Sequence, residues 1–529
     1  MSDVTTIEAD VPERYADAVA ERLRVAGEER VVERIWRRDG TLWAPEGTPE
    51  VADRLGWLDI ADRMREQVDD LNAFAAEVRA SGYTDAVLLG MGGSSLAPEV
   101  FRRSFSGARP DAGAGEAGQG IGQGLTLHVL DSTHPVQVRA VLDAVDLEKA
   151  IMIVSSKSGG TIEPNSMFKA FHARQPDGAH YVAVTDPGTS LERLATEHGF
   201  RRVFHGDPEI GGRYSALSMF GLVPAALAGI DVGAVLDSAI AAAEECRGEH
   251  GNPGLWLGVA LGELARHGRD KLTFVVDPPL EAYGLWAEQL VAESTGKRGR
   301  GILPIADEPV LEPAAYGDDR VFVHLEHGGM RSGADLREAG HPVFTIHALG
   351  PEDLGRIFFL SEFAVAVAGW VLEINPFDQP NVQEAKDNTN RVLSEGSPDL
   401  EPGELPQLAA EPPSYVAIMG YLPYSEATEA AVARLRAALM ERHHVATTWG
   451  YGPRFLHSTG QFHKGGPPIG RFLQLIDEPA ADLEVPGEPY SFATLIRAQA
   501  DGDLQTLRDH GLTAVRAVVG DIDEIKERL

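Results

Sequence analysis

The stretch VSSKSGGTIEP, residues 154–164, constrains the fold more than any other segment of the chain. It follows the apolar run Ile151, Met152, Ile153 and gives way to MFKAF, a pattern that predicts a strand, a tight turn and a helix. Gly159 and Gly160 let the backbone approach a ligand closely. The first N–H groups of the helix have no partner within it, and Ser156, Ser158 and Thr161 add hydroxyl donors. Lys157 adds a positive charge. A helix cap needs a single Ser or Thr. Four hydroxyl residues, two glycines and a lysine within ten residues predict a phosphate site instead.

A phosphate ligand has to be reconciled with a formal net charge of −33 over 529 residues. That charge argues against nucleic acid, whose binding needs clustered Lys and Arg, so an anionic substrate must be held by a local basic site. The single cysteine, Cys246, can form no internal disulfide and no cysteine-based metal cluster, which fits a reducing compartment. The first residues are acidic and lack a secretory h-region. The apolar stretches 217–230 and 363–372 are too short to span a bilayer, and the first contains Pro224. The expectation is a soluble cytoplasmic protein with no nucleic-acid or membrane partner.

The length predicts about two or three domains. Residues 1–80 read as a helical N-terminal segment. Strands are predicted at 85–89, 125–130, 151–154, 180–185 and 202–204, with helices between them. The turn after the first, GMGGSSLAP, is a second Gly/Ser turn of the phosphate-binding type, containing Gly93 and Ser94. It departs from the dinucleotide GxGxxG pattern at Ser95, although the next strand does end in an acidic residue, Asp131. Residues 106–124 form a Gly-rich surface insertion without periodicity. A second α/β cycle starts near residue 253, with strands at 271–276, 321–325, 343–347, 415–420 and 445–448. Residues 397–413 are proline-rich and acidic and read as a loop. The expected fold is α/β with two domains, 81–235 and 236–480, each a parallel sheet flanked by helices, and a helical C-terminal extension at 481–529.

Several residues could carry chemistry. Gln289 and Glu293 share a helix face. Lys297 and Arg298 follow closely, so an exposed ion pair is the plain alternative for Glu293. Arg213 follows paired glycines in GGRYS, where it is either a guanidinium at a helix start or a surface residue after a flexible turn. FDQP, with Gln379, opens a helix that carries Lys386. His324 and His327 lack an obvious third metal ligand, whereas His457 and His463 lie in a Gly-rich loop, where functional residues collect. A phosphate site, a cation and a positioned carboxylate are the parts needed to move a proton beside a sugar carbonyl.

Taken together, GMGGSSLAP, SSKSGGTIEP, GGRYS, the helix ending in ESTGK and FDQPNVQEAK resemble the glucose-6-phosphate isomerase family, in that family's order and over about residues 80–390. The resemblance implies two sugar-isomerase (SIS) domains, a homodimer, no cofactor, and reversible interconversion of glucose 6-phosphate and fructose 6-phosphate through a cis-enediol. It implies that Ser156, Lys157, Ser158 and Thr161 bind the phosphate, with Gly93 and Ser94 lining the same pocket. Glu293 would be the base, Arg213 would stabilise the enediolate, Gln289 and Gln379 would hold substrate, and Lys386 would assist ring opening. The family's ring-opening histidine precedes the FDQ helix, in a segment resembling LHSxGQ. Here LHSTGQ, with His457, comes after Lys386. The expectation is that a rearranged strand order in the second domain, or a dimer interface, brings His457 to the site. The whole chain most resembles the isomerase part of bacterial transaldolase/phosphoglucose isomerase fusions. A transaldolase barrel needs on the order of 200 residues or more, and about 80 precede the first motif, so no transaldolase activity is expected. Two further readings are an isomerase that also accepts mannose 6-phosphate and a non-catalytic sugar-phosphate sensor. The sensor would not need Glu293 or Arg213.

Overall fold

The computed structural model describes residues 7–106, 124–329, 333–396, 398, 400–479, 481–519 and 522–528. All but the ends of the Gly-rich insertion expected at 106–124 lie outside the described residues. A short strand, β1 (Ile7–Asp10), precedes the helical N-terminal segment, whose longest helices are Glu13–Glu28 and Val68–Ala80.

The first sheet holds β2 (Asp85–Leu89), β3 (Thr126–Leu130), β4 (Ala150–Ser155), β5 (Tyr181–Thr185) and β6 (Arg202–His205). All its pairings are parallel, in the order β3-β2-β4-β5-β6. Such strands are covered on both faces, which is why they read as continuous apolar runs. Their side chains alternate between two cores: Ala86 and Leu88 enter the main core, whereas Val87 and Leu89 pack with Met167 and Phe171 of the helix Ile162–Arg174.

The second sheet holds β7 (Lys271–Val276), β8 (Leu303–Ile305), β9 (Arg320–Glu326) and β10 (Val343–His347), mutually parallel, with β1 antiparallel at its edge. In the core that takes residues from both sheets lies the mostly apolar helix Leu354–Val371, buried along nearly its whole length. It is long and apolar enough to cross a membrane, but 89% of its apolar window lies inside the protein, the pattern of a central core helix. A Cβ on Gly258 of the adjacent helix would lie 2.3 Å from the Ala364 carbonyl oxygen, so glycine is what permits this close approach.

The C-terminal part departs from expectation. The strands expected at 415–420 and 445–448 do not extend the second sheet. They belong to a third one, formed by β11 (Tyr415–Tyr421), β12 (Ala446–Tyr451), β13 (Gly470–Ile476) and β14 (Thr513–Val518), all parallel in the order β12-β11-β13-β14. The segment read as a helical extension contains β14 between the helices Phe492–Asp509 and Ile522–Arg528. The physical reason is that β11 is buried on both faces and hydrogen-bonded on both edges. Tyr415, Ala417 and Met419 enter one core, shared with Leu303 and Ile305 of β8, and Val416 and Ile418 another, while both edges of β11 are taken by β12 and β13, so no edge is left to join the second sheet.

The third sheet docks through buried charge. On the side of the first sheet, the fully buried Asp131 accepts two hydrogen bonds from Arg454, at 2.7 and 2.8 Å, and one from the Tyr424 hydroxyl at 2.8 Å. On the side of the second sheet, Glu308 pairs with Arg320 at 2.6 and 3.0 Å and accepts from the backbone and hydroxyl of Thr447, both at 2.9 Å. Removing one partner of a buried pair strands the other charge. Arg454→Met is therefore expected to lower stability by about 3–5 kcal/mol, measured by denaturant unfolding. Asp131→Asn combined with Arg454→Met should recover more than half of that loss, and equal instability of the two variants would show that the stranded charge is not the cause.

Candidate active site

The loops that follow β2, β4 and β12 converge, in keeping with the rule that ligand sites in parallel sheets lie beyond the carboxyl ends of the strands. After β2 the chain makes a 3-10 turn, Gly92–Ser94. Gly92 has a φ of +56°, and a Cβ there would lie 3.0 Å from His457 Cβ and 3.1 Å from Gln289 Nε2. At Gly93 a Cβ would lie 2.0 Å from the carbonyl oxygen of Gly212, the residue before Arg213. Ser94 closes the turn and is buried. The glycines thus bring the first turn against the segments that carry Arg213, Gln289 and His457.

In the second turn, after β4, the hydroxyls of Ser156 and Thr161 lie 2.9 Å apart. Thr161 occupies the N-cap of the helix Ile162–Arg174 but makes no side-chain capping hydrogen bond. That separates the turn from an ordinary cap and leaves the helix N-terminus facing outward, where it favours an anion. Ser158 is exposed on the same turn, its hydroxyl 3.4 Å from the Gly160 backbone N–H. Lys157 points elsewhere: its ammonium pairs with Asp186 and donates to the Asp207 carbonyl at 3.1 Å. Its charge is therefore compensated by Asp186.

Gln289 and Glu293 project from one face of the helix Tyr283–Thr295, and both are buried. Gln289 Nε2 donates to the His457 carbonyl at 2.8 Å and reaches Glu293 Oε1 at 3.3 Å, while Gln289 Oε1 is buried without a hydrogen-bond partner. An orphaned buried acceptor is costly, and a ligand hydroxyl is the kind of group that satisfies it. Lys297 and Arg298 do not form the ion pair with Glu293 that the local sequence allowed. Arg298 is exposed, and the buried Lys297 ammonium donates to the carbonyls of Asn375 and Asp378, at 2.6 and 2.5 Å, and to Asp378 Oδ1 at 2.7 Å.

The partner of Glu293 is Arg213, whose Nη1 lies 3.3 Å from Glu293 Oε2. Arg213 is 1% exposed, so it is not a surface residue after a flexible turn. Its Nε donates to Ser294 Oγ at 2.8 Å, Nη1 to Gln379 Oε1 at 2.8 Å, and Nη2 to the carbonyls of Pro376 and Asp378 at 2.7 and 3.0 Å. A guanidinium held by this many acceptors cannot reorient, and its planar fork is a geometry that lysine cannot reproduce. Burial pushes the Glu293 carboxyl upward, and Arg213, Gln289 and His457 bring it only part of the way back, so it stays above the ordinary carboxylate value.

His457 comes from the third sheet, at the end of the 3-10 turn Arg454–His457 that follows β12. It reaches the site within its own chain, and no rearranged order in the second sheet is needed. Its Nε2 lies 3.1 Å from Glu163 Oε1. The same oxygen accepts from Gln499 Nε2 at 2.7 Å. Burial opposes ionisation of Glu163, but His457 more than offsets this and holds the carboxyl below its usual value. Lys386 is exposed on the helix Pro380–Glu395 and lines a cavity of about 90 Å³ with Thr161, Glu163, His457 and Gln499. The dinucleotide alternative loses its acidic residue, because Asp131 is buried and bound bidentately by Arg454. His324 faces Asp277 at 3.6 Å, His327 contacts the Ala348 carbonyl at 3.0 Å, and His463 is buried outside this cluster among Tyr415, Phe455 and Phe472.

Sequence reasoning gave no role to Glu163 or Gln499. Each had a signal. Glu163 is a carboxylate beside an apolar run at the start of a helix, and once buried it calls for a nearby cation or donor. Gln499 falls on the apolar stripe Phe492, Leu495, Ile496 of its helix, where a polar residue must find a buried partner.

Comparison with known proteins gives a consistent picture. Residues 21–243 match the family model described as phosphoglucose isomerase. A protein of Rubrobacter xylanophilus named glucose-6-phosphate isomerase is 30% identical over 61% of this chain and 86% of its own length. One of the same name from Nostoc sp. is 31% identical over 72% of this chain and 77% of its own. Among solved structures, a glucose-6-phosphate isomerase from Chlamydia trachomatis has a similar fold, with a TM-score of 0.60 at 19% identity, covering 74% of this chain and 89% of that one. A hypothetical protein of Thermus thermophilus matches with a TM-score of 0.57 at 24% identity, over 73% of this chain and all of that one.

On the helix that carries Gln289 and Glu293, Glu288 turns the other way and accepts a hydrogen bond from the Ala306 backbone at 3.2 Å. Burial pushes its carboxyl up to about 8. Between the ordinary carboxylate value of about 4.3 and about 8, only the folded state keeps this proton. Its contribution to stability is therefore present in acid and is lost as the pH rises through that window. Glu288→Gln keeps the acceptor and removes the titration. Its unfolding midpoint is expected to fall less than that of the wild type between pH 5 and pH 8.5, and parallel falls would reject this assignment.

Proposed function

Because the chain belongs to the glucose-6-phosphate isomerase family and so interconverts glucose 6-phosphate and fructose 6-phosphate, we propose that Glu293 is the base that moves a proton between C1 and C2. The observation that carries this is the buried Glu293 carboxylate, 3.3 Å from a fully held Arg213 and beside the orphaned Gln289 oxygen. A proton on a sugar carbon is weakly acidic, and its removal puts negative charge on the adjacent oxygen. A fixed buried cation lowers the energy of that charge as it develops, without reorganising. Arg213 fills this role for the cis-enediolate, Gln289 Oε1 accepts from a substrate hydroxyl, and Gln379 sets the position of Arg213 from the other side.

The phosphate sits at the turn of residues 156–161, held by backbone N–H groups and by the hydroxyls of Ser156, Ser158 and Thr161, with Gly93 and Ser94 lining the same pocket. Ring opening requires a proton to leave the anomeric hydroxyl and another to reach the ring oxygen. His457, oriented by Glu163, moves that proton, and Lys386 at the rim of the cavity assists. This reading needs no cofactor. It takes the protein to be a cytoplasmic homodimer without nucleic-acid or membrane partners, in line with the charge of −33.

The test is Glu293→Gln, which keeps size and hydrogen bonding but removes the base. A coupled assay of fructose 6-phosphate conversion should show kcat reduced by about 10³-fold or more with KM little changed. Since activity needs Glu293 ionised and its carboxyl is raised, the acid limb of kcat/KM in the wild type should lie above the ordinary value of about 4.3. Wild-type turnover in the variant would withdraw the assignment.

A further inference from the structure

We propose that Gln499, from the C-terminal part of the chain, is a positioning residue for ring opening, acting through Glu163 on His457. This rests on the reading that His457 opens the sugar ring. Gln499 is 1% exposed on the helix Phe492–Asp509 and lines the same cavity as Thr161, Lys386 and His457. Its two ends are fixed by chemistry: an ionised carboxylate only accepts, so the Gln499 amide must turn its NH₂ to Glu163, at 2.7 Å. The carbonyl at its other end accepts from the Thr133 hydroxyl, also at 2.7 Å. Thr133, Gln499, Glu163 and His457 therefore form one connected chain of hydrogen bonds that converges on Glu163 Oε1.

The chain does something that the Glu163–His457 contact cannot do by itself. A glutamate has three rotatable side-chain bonds, and without Gln499 the Glu163 carboxylate has, besides its own backbone N–H, one 3.1 Å contact to the imidazole to aim it. Gln499 binds the very oxygen that faces His457 and so locks its direction. It also withdraws part of that oxygen's basicity, which limits how tightly Glu163 holds the imidazole proton. A group that exchanges protons with substrate must be both aimed and loosely held, and an error of about 1 Å in its position can cost 100-fold in rate.

The experiment compares two substrates. Fructose 6-phosphate is mostly cyclic in solution and needs ring opening, whereas 5-deoxyfructose 6-phosphate lacks the hydroxyl that closes the ring and enters the reaction open. Turnover of both is followed by NMR as deuterium incorporation from solvent. Gln499→Met, nearly isosteric and apolar, should reduce kcat/KM for fructose 6-phosphate tenfold or more and leave the open-chain substrate within twofold of the wild type. Thr133→Val, which removes only the far hydroxyl, should give a smaller loss with the same selectivity, and covers the case in which Gln499→Met fails to fold. His457→Ala is run beside them. Equal losses on both substrates, or none, in the Gln499 and Thr133 variants overturn the proposal. A ring-selective loss in His457→Ala alone overturns it while sparing the role of His457. If His457→Ala itself shows no selectivity, the ring-opening reading fails and this inference falls with it.

Discussion

The buried ion pair between Asp131 and Arg454 is the contact on which the geometry of the site depends. Asp131 directly follows β3 with no exposure to solvent, and a carboxylate there must find a cation. Arg454 supplies it from the third sheet, on the 3-10 turn that ends at His457. In a 3-10 turn, residues three apart eclipse one another. Seating the guanidinium on Asp131 therefore aims the imidazole in the same direction, toward Glu163. One electrostatic demand docks a sheet and delivers a functional side chain.

The site also shows how an acidic protein can handle an anionic sugar. With a net charge of −33 the long-range field repels a phosphate. The attraction has to be local, and among the basic residues named for the site the structure divides it unevenly. Lys157 is compensated by Asp186, and Arg213 and Lys297 are buried among carbonyls, whereas Lys386 is exposed at the rim of the cavity. With the phosphate placed as proposed, the rest of the pull comes from the N-terminus of the helix Ile162–Arg174, whose partial charge is carried by backbone and does not depend on any side chain.

Most of the first two sheets was legible because parallel strands covered on both faces are apolar without interruption. Lys271–Val276 and Asp85–Leu89 could be bounded to the residue for that reason. The third sheet was harder. Gln474 lies in the middle of β13 and Arg516 in β14, and polar residues there break the apolar signature. They are buried because they bind each other across the strands, at 2.7 Å, a pairing invisible in one dimension. The same limit applies at the site. Glu293, Arg213 and His457 stand in recognisable short motifs, while Gln499 has only its place on an apolar helix face, and Glu163 is 294 residues from the histidine it touches. Lys157 shows another side of that limit, since its charge is plain in the sequence and its pairing with Asp186 is not.

That separation of 294 residues bears on how the protein is made. Sequence-distant contacts form late, after the loop entropy between them has been overcome, and synthesis delivers the N-terminal parts first. When the ribosome has passed residue 400, both Gly/Ser turns, Arg213 and the helix with Glu293 are already available to fold. The histidine is not, and neither is the arginine that neutralises Asp131. A nascent or truncated chain thus exposes a carboxylate that the finished protein never shows to water, and the arrival of the last sheet both buries it and completes the pocket. Assembly of the proposed catalytic cluster and closure of the fold are the same event.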